Sequence, residues 1–160
     1  MSADPHLNLS RYVPALINFL SNKLATGASI CYRKHFGVGV VEWRMLSMLA
    51  VDDGITANRI CQVIGLDKSA VSRALQGLES AGSIHTTPDP DDKRRVTISL
   101  TNQGKQLHDR VLKVALERER RLLEGLSAEE VDVLVGLLNR LNKQISYVND
   151  YDPEKSDSRS

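Results

Sequence analysis

The chain reads as a mostly α-helical fold with a small β-hairpin wing, a winged helix-turn-helix joined to a helical dimerisation region. Three observations predict it. Two short amphipathic helices flank a Gly-containing turn at Gly65-Leu66-Asp67, a Pro/Asp-rich stretch with a basic end interrupts two strand-like runs, and the outer segments carry more leucine and valine at helical spacing than one core contact requires.

In chain order, a helix begins near Leu9, with Val13, Leu16, Ile17, Leu20 and Leu24 recurring on one face. Gly37 and Gly39 break it, and Glu42 to Ala50 resumes as a short helix around Trp43, Leu46 and Leu49. Thr56 is placed to cap a third helix whose apolar face is Ala57, Ile60, Cys61 and Ile64. The fourth runs from Lys68 to Ser80. Its apolar stripe is Val71, Ala74, Leu75 and Leu78, with Asp67 as N-cap and Gly82 as the stop. Ile84 to Thr87 and the alternating Val96, Ile98 and Leu100 then predict a hairpin around Pro88 to Arg95. Thr101 looks like the N-cap of a long helix to about Leu123, ended by Gly125. Ser127 with Glu130 forms a capping box for the last helix. That helix is apolar at Val131, Leu134, Val135, Leu138, Leu141 and Ile145, and again at Val133 and Leu137, which predicts burial against a second subunit.

The resulting organisation is a helical dimerisation region over 9–35 and 101–148, a winged helix-turn-helix over 41–100, and flexible ends at 1–8 and 149–160. The fourth helix carries the functional reading. Opposite its apolar stripe lie Ser69, Ser72, Arg73 and Gln76, side chains able to hydrogen-bond base edges, with Lys68 at the helix start. One hairpin away, Lys93, Arg94 and Arg95 form a cationic group suited to phosphates or a minor groove. Together they predict binding of double-stranded DNA.

The run Leu66-Asp67-Lys68-Ser69-Ala70-Val71-Ser72-Arg73, the wing from Pro88 to Arg95 and Leu100-Thr101-Asn102-Gln103-Gly104 resemble the MarR family of bacterial transcription regulators. Asp92, Arg94 and the following Leu-Thr-x-x-Gly match the family's wing signature, D-x-R-x5-L-T-x-x-G, at every fixed position. The resemblance extends from about Leu9 to Ile145. It implies that Arg94 enters a minor groove with Asp92 bracing its guanidinium. Ser69, Ser72, Arg73 and Gln76 would face the major groove, and Lys68 and Lys93 would meet phosphates. It also implies a homodimer on an inverted repeat, and repression relieved by a small anionic aromatic compound, a carboxylate or its thioester. The effector would lie near Trp43 and Arg44, with His35 a further candidate. One departure stands out: where relatives often carry Arg, this chain has Thr86 and Thr87, so its wing has fewer cations.

Composition sets the bounds. At 160 residues the chain is one domain of ordinary size, and 41% apolar with only 4% aromatic residues suits a helical core of Leu, Val and Ile. A net charge of +1 gives DNA binding no help from bulk charge, only from local placement of Arg and Lys. The first residues carry neither a basic region nor an apolar run, and no stretch approaches a membrane span, so a cytoplasmic protein is expected. Cys31 and Cys61 form no C-x-x-C pair and imply no disulfide framework. Gly37-Val38-Gly39 lacks the third glycine of a dinucleotide loop, and His6, His35, His85 and His108 have no metal-ligand spacing. His108 and Asp109 are adjacent on a helix, where neighbouring side chains are expected to diverge. No catalytic, metal or cofactor site is expected. The competing reading is a winged-helix protein-interaction module without specific DNA binding, which would not need cations at both Arg73 and Arg94.

Overall fold

A computed structural model describes residues 6–89 and 95–156. The element order is α1 (Val13–Phe36), α2 (Val40–Val51), α3 (Ala57–Ile64), α4 (Lys68–Ser80), β1 (Ile84–Pro88), β2 (Val96–Leu100), α5 (Asn102–Leu123), α6 (Ala128–Lys143), α7 (Ile145–Asn149) and α8 (Pro153–Ser156). The chain divides into two compact units, Met1–Ala115 and Leu116–Ser160, with the boundary inside α5.

The first unit is built on one core. Met45, Leu46 and Leu49 of α2, Ile60 of α3, and Val71 and Leu78 of α4 are essentially inaccessible to water. Ile84, Ile98 and Leu100 of the hairpin and Leu107 and Val111 of α5 close around them. Truncating any of the large ones to alanine would cost about 2–5 kcal/mol. The α4 stripe comes out as expected, with Val71, Ala74 and Leu78 buried and Leu75 half-buried. On α3, Ile60 is buried and Cys61 and Ile64 are half-buried, but Ala57 is exposed because the first turn of α3 projects past the core.

Both ends of α4 are closed by local chemistry. The Ala70 amide donates to Asp67 Oδ1 at 2.9 Å, the expected N-cap. At the other end Ser83 N–H reaches the Leu78 carbonyl and Gly82 N–H the Glu79 carbonyl, both at 2.9 Å, a Schellman closure. It requires the left-handed φ of +68° at Gly82. Gly82 is therefore the stop that the sequence indicates.

β1 and β2 pair antiparallel with Ile84 opposite Leu100 and Pro88 opposite Val96. A third backbone segment joins them: Ile55 bridges Ile98, whose amide donates to the Ile55 carbonyl at 2.9 Å. The period-two pattern gives no hint of it, because one bridging residue has no alternation. The start of α2 is tied to α1 by the Val40 amide donating to Ser29 Oγ at 3.1 Å.

In the second unit, Ser127 and Glu130 make the expected reciprocal capping box, with Ser127 N to Glu130 Oε2 at 2.8 Å and Glu130 N to Ser127 Oγ at 3.3 Å. The last helix, expected to run through Ile145, instead stops at Lys143, and α7 restarts after Gln144. No residue of α6 is buried. Beyond α7 the chain forms the single helical turn α8, where the sequence shows no periodicity. Among the described residues no helix is long and apolar enough to cross a membrane.

Candidate nucleic-acid interface

The residues proposed to read DNA in the major groove all stand on the open side of α4. Lys68, Ser69, Ser72, Arg73 and Gln76 are exposed, while the opposite stripe holds the helix to the core. The caps set the helix's length and pitch, so the polar row is presented by a rigid element. Asp67 belongs to this arrangement. Its carboxyl is held below the usual carboxylate range by the Ala70 amide above all, with the Ser69 amide and the Arg73 charge adding to the effect. The carboxylate thus stays ionised and keeps its cap at any physiological pH.

Asp92, Lys93 and Arg94 of the wing lie outside the described residues. Arg95 is described: it is exposed, and its carbonyl accepts from the Asp89 amide at 2.8 Å, closing the ladder one step past Pro88–Val96. The two threonines that replace wing arginines face different tasks. Thr86 Oγ1 donates to Glu79 Oε1 at 2.9 Å, tying β1 to the last turn of α4. The Thr87 carbonyl accepts from Thr97 Oγ1 across the hairpin at 3.2 Å.

The base of the wing is fastened by residues whose role the sequence pattern did not disclose. Thr101 Oγ1 donates to the Gly82 carbonyl at 2.6 Å and accepts from the Gly104 amide at 3.0 Å, so one hydroxyl caps α5 and grips the turn after α4. Gln103 Nε2 donates to the Ala81 carbonyl at 2.9 Å. The Leu-Thr-x-x-Gly stretch was the available signal, since its fixed threonine and glycine are the residues making these contacts.

The residues proposed for an effector stand on α1 and α2 rather than on α4. Trp43 is half-buried, edge-on to Tyr32 with ring centroids 6.0 Å apart and flat on His108 at 5.4 Å with 20° between planes. Arg44 beside it is half-buried, and His35 is exposed at the end of α1, leaning on Phe36. His108 corrects one expectation. Its Nδ1 lies 3.0 Å from Asp109 Oδ1, so these neighbours on α5 meet instead of diverging, while the ring stacks on Trp43. Among the described residues no group of His, Cys, Asp and Glu could hold a metal ion, and both cysteines are free thiols.

With that geometry in place, the likeness to known proteins is specific. A sequence profile described as MarR family matches residues 36–95. A MarR/EmrR family transcriptional regulator from Acinetobacter sp. ADP1 shares 37% identity, with a TM-score of 0.82 over 88% of this chain and 99% of that one. The chain belongs to the MarR family. An HTH-type transcriptional regulator of Bacillus subtilis, YdgJ, is 30% identical over 115 residues, 70% of this chain and 68% of its own length. The structure of MepR from S. aureus, solved as a DNA complex, is 25% identical with a TM-score of 0.74, over 87% of this chain and 99% of that one. As a MarR-family protein, this chain is a DNA-binding transcription regulator with a winged helix, and its relatives are regulators, not enzymes.

Proposed function

We propose that this MarR-family chain acts as a homodimeric repressor on an inverted-repeat duplex, released by a small anionic aromatic compound, a carboxylate or its thioester. The observation that carries the dimer is α6. It has no buried residue in the single chain, yet Val133, Leu134, Val135, Leu137, Leu138 and Leu141 are each between 38% and 61% exposed. On α1, Val13, Leu16, Ile17, Leu20 and Leu24 are exposed in the same way. A helix that leaves so many large apolar side chains open in the single chain supports burial against another protein. A twofold dimer places two α4 helices at half-site centres roughly 34–36 Å apart or a multiple of it, one turn of B-DNA.

Within each half-site, Ser69, Ser72, Arg73 and Gln76 read base edges, and Lys68 and Lys93 meet phosphates. Arg94, with Asp92 bracing it, enters the minor groove. The effector lies near Trp43 and Arg44, with His35 at its edge. Trp43 is stacked on His108 of α5, so a planar anion there competes for the same ring face and moves α5 against α2. To shift occupancy it must bind the DNA-incompetent arrangement more tightly, by about 1–3 kcal/mol on the usual allosteric scale.

The test is selection from random duplexes, followed by sedimentation of the free protein. A symmetric motif bound by a dimer supports the reading. A monomer at micromolar concentration, or no enriched motif, overturns it and leaves a winged-helix protein-interaction module as the alternative. For the effector, a thermal-shift screen of aromatic carboxylates is followed by competition with the selected duplex. Compounds that bind without changing DNA affinity are not inducers.

A further inference from the structure

A cleft of about 520 Å³ lies between the first turn of α3 and the start of β2, and its described lining includes Asn58, Arg59, Gln62 and Arg95. Two arginines and two carboxamides meet there, and no carboxylate is among the described lining residues. Both arginines are exposed, and among the described residues neither guanidinium has an ion-pair partner. Two unpaired guanidinium groups in one concavity repel each other, an arrangement that an anion between them relieves.

The cleft is also held rigidly. The Ile98 amide bonded to the Ile55 carbonyl locks the strand carrying Arg95's neighbours against the segment leading into α3. Thr56 Oγ1 takes the Arg59 amide at 3.3 Å, fixing the turn from which the Arg59 side chain leaves. A site with one arginine on a capped helix and the other immediately before a paired strand is held close to its spacing when the ligand arrives. α3 packs on α4, so the cleft belongs to the same compact unit as the proposed base-reading row.

We propose that Arg59 and Arg95 clamp one backbone phosphate of the bound duplex, with Asn58 and Gln62 hydrogen-bonding its flanks. The site is separate from the base contacts of α4 and from the wing tip. It rests on the DNA-binding reading above and adds to it an anchor that sets register without reading sequence. The clamp also offsets what the wing lacks where threonines stand at positions 86 and 87.

The experiment uses the full chain and the duplex that wild type selects, with a scrambled duplex of equal length beside it. Arg59→Gln and Arg95→Gln should each weaken both duplexes by about tenfold, the scale of a charge-assisted hydrogen bond. With one clamped phosphate per half-site of the dimer-bound duplex, the double variant should flatten the dependence of log K on log salt by about 1.8, two phosphates' share. Neutral methylphosphonates placed singly along the backbone should locate that phosphate. At one position per half-site the wild type loses affinity while the double variant does not, since additivity fails only for groups in contact. Arg59→Lys with Arg95→Lys should restore the salt slope but only part of the affinity, because lysine supplies charge without the bidentate fork. This pair also tests the clamp if the glutamine variants fold poorly. A double glutamine variant with wild-type affinity and slope, or one as sensitive to methylphosphonate at every position as wild type, overturns the clamp alone. If wild type binds no duplex, the DNA-binding reading falls and the clamp with it.

Discussion

Gly104 stands directly against the backbone carbonyl of Ser83, so close that any Cβ at that position would overlap the oxygen. The same carbonyl accepts the Thr101 amide at 3.1 Å, so it cannot retreat without giving up that bond. Helix α5 and the turn after α4 thus touch through main chain, with no side chain between them.

Gly104→Ala should therefore destabilise the chain by about 1–3 kcal/mol, the usual range for overpacking a buried site. Thr101→Ala should cost about 1 kcal/mol through loss of the α5 cap. Chemical denaturation measures both. Because the contact fastens the wing base to α4, both variants should also lower DNA affinity at temperatures where they remain folded. An unchanged denaturation midpoint for Gly104→Ala would refute the close contact.

Arg73→Ala should cost about 1–3 kcal/mol at the selected site and relax sequence preference there, as expected for a residue on base edges. Lys93→Ala should weaken all duplexes alike and reduce the salt slope by about one counterion. Arg94→Ala should lose most at narrow, A·T-rich minor grooves, and Asp92→Ala should reproduce part of that loss. Titrations at several salt concentrations separate the three patterns. Equal losses for Arg73→Ala on selected and scrambled duplexes would remove it from base recognition.

A pair of substitutions on α6, Leu137→Glu with Leu141→Glu, should convert the protein to monomers and abolish binding to the selected duplex. Neither position is buried in the single chain, where Leu137 is 48% and Leu141 44% exposed. Helical content should persist by circular dichroism while sedimentation reports half the mass. A dimer surviving both substitutions would place the interface elsewhere.

Glu117 supplies a pH signature. Hydrogen bonds from Arg120 and then Arg121 lower its carboxyl pKa to about 2, against an ordinary 4.5. A depressed folded pKa means that the contribution is present above the unfolded value and is lost as pH falls through the folded one. The loss should therefore span about pH 4.5 down to about 2. Carboxyl NMR of Glu117 should give a midpoint near the lower figure, and Glu117→Gln should make the acid limb of stability shallower. A Glu117 midpoint at the ordinary value would mean that the two arginine contacts do not persist in solution. The side chain is open to solvent on one side, so the effect should shrink with added salt.

How much of this was legible in the sequence depends on the range of the interactions. Caps at Thr56, Asp67 and Ser127 were readable because a cap is settled within four residues, and all three make their bonds. The stripe of α4 was readable because burial on one face imposes period 3.6. The grip of Thr101 on Gly82 and of Gln103 on Ala81 was not, since each joins residues some twenty positions apart whose meeting depends on how the hairpin returns. The same holds for Arg59, which looks like any first-turn arginine until β2 brings Arg95 to its side. The break at Gln144 was missed for another reason: the apolar spacing continues across it, while the backbone does not. The His108–Asp109 contact was not legible because a side-chain torsion, which spacing along the chain does not encode, decides whether adjacent helical residues meet.

The single bridge between Ile55 and Ile98 has a topological consequence. It closes the polypeptide into a loop whose entry and exit leave side by side, with α3, α4 and the wing all contained within. A lobe fastened at its neck in this way has no free end to peel. Its buried side chains share one core with α2 and α5, so the looped segment moves with those helices rather than apart from them. The Ile98 amide, held by the Ile55 carbonyl and buried in that core, should be among the last in this unit to exchange its proton with solvent.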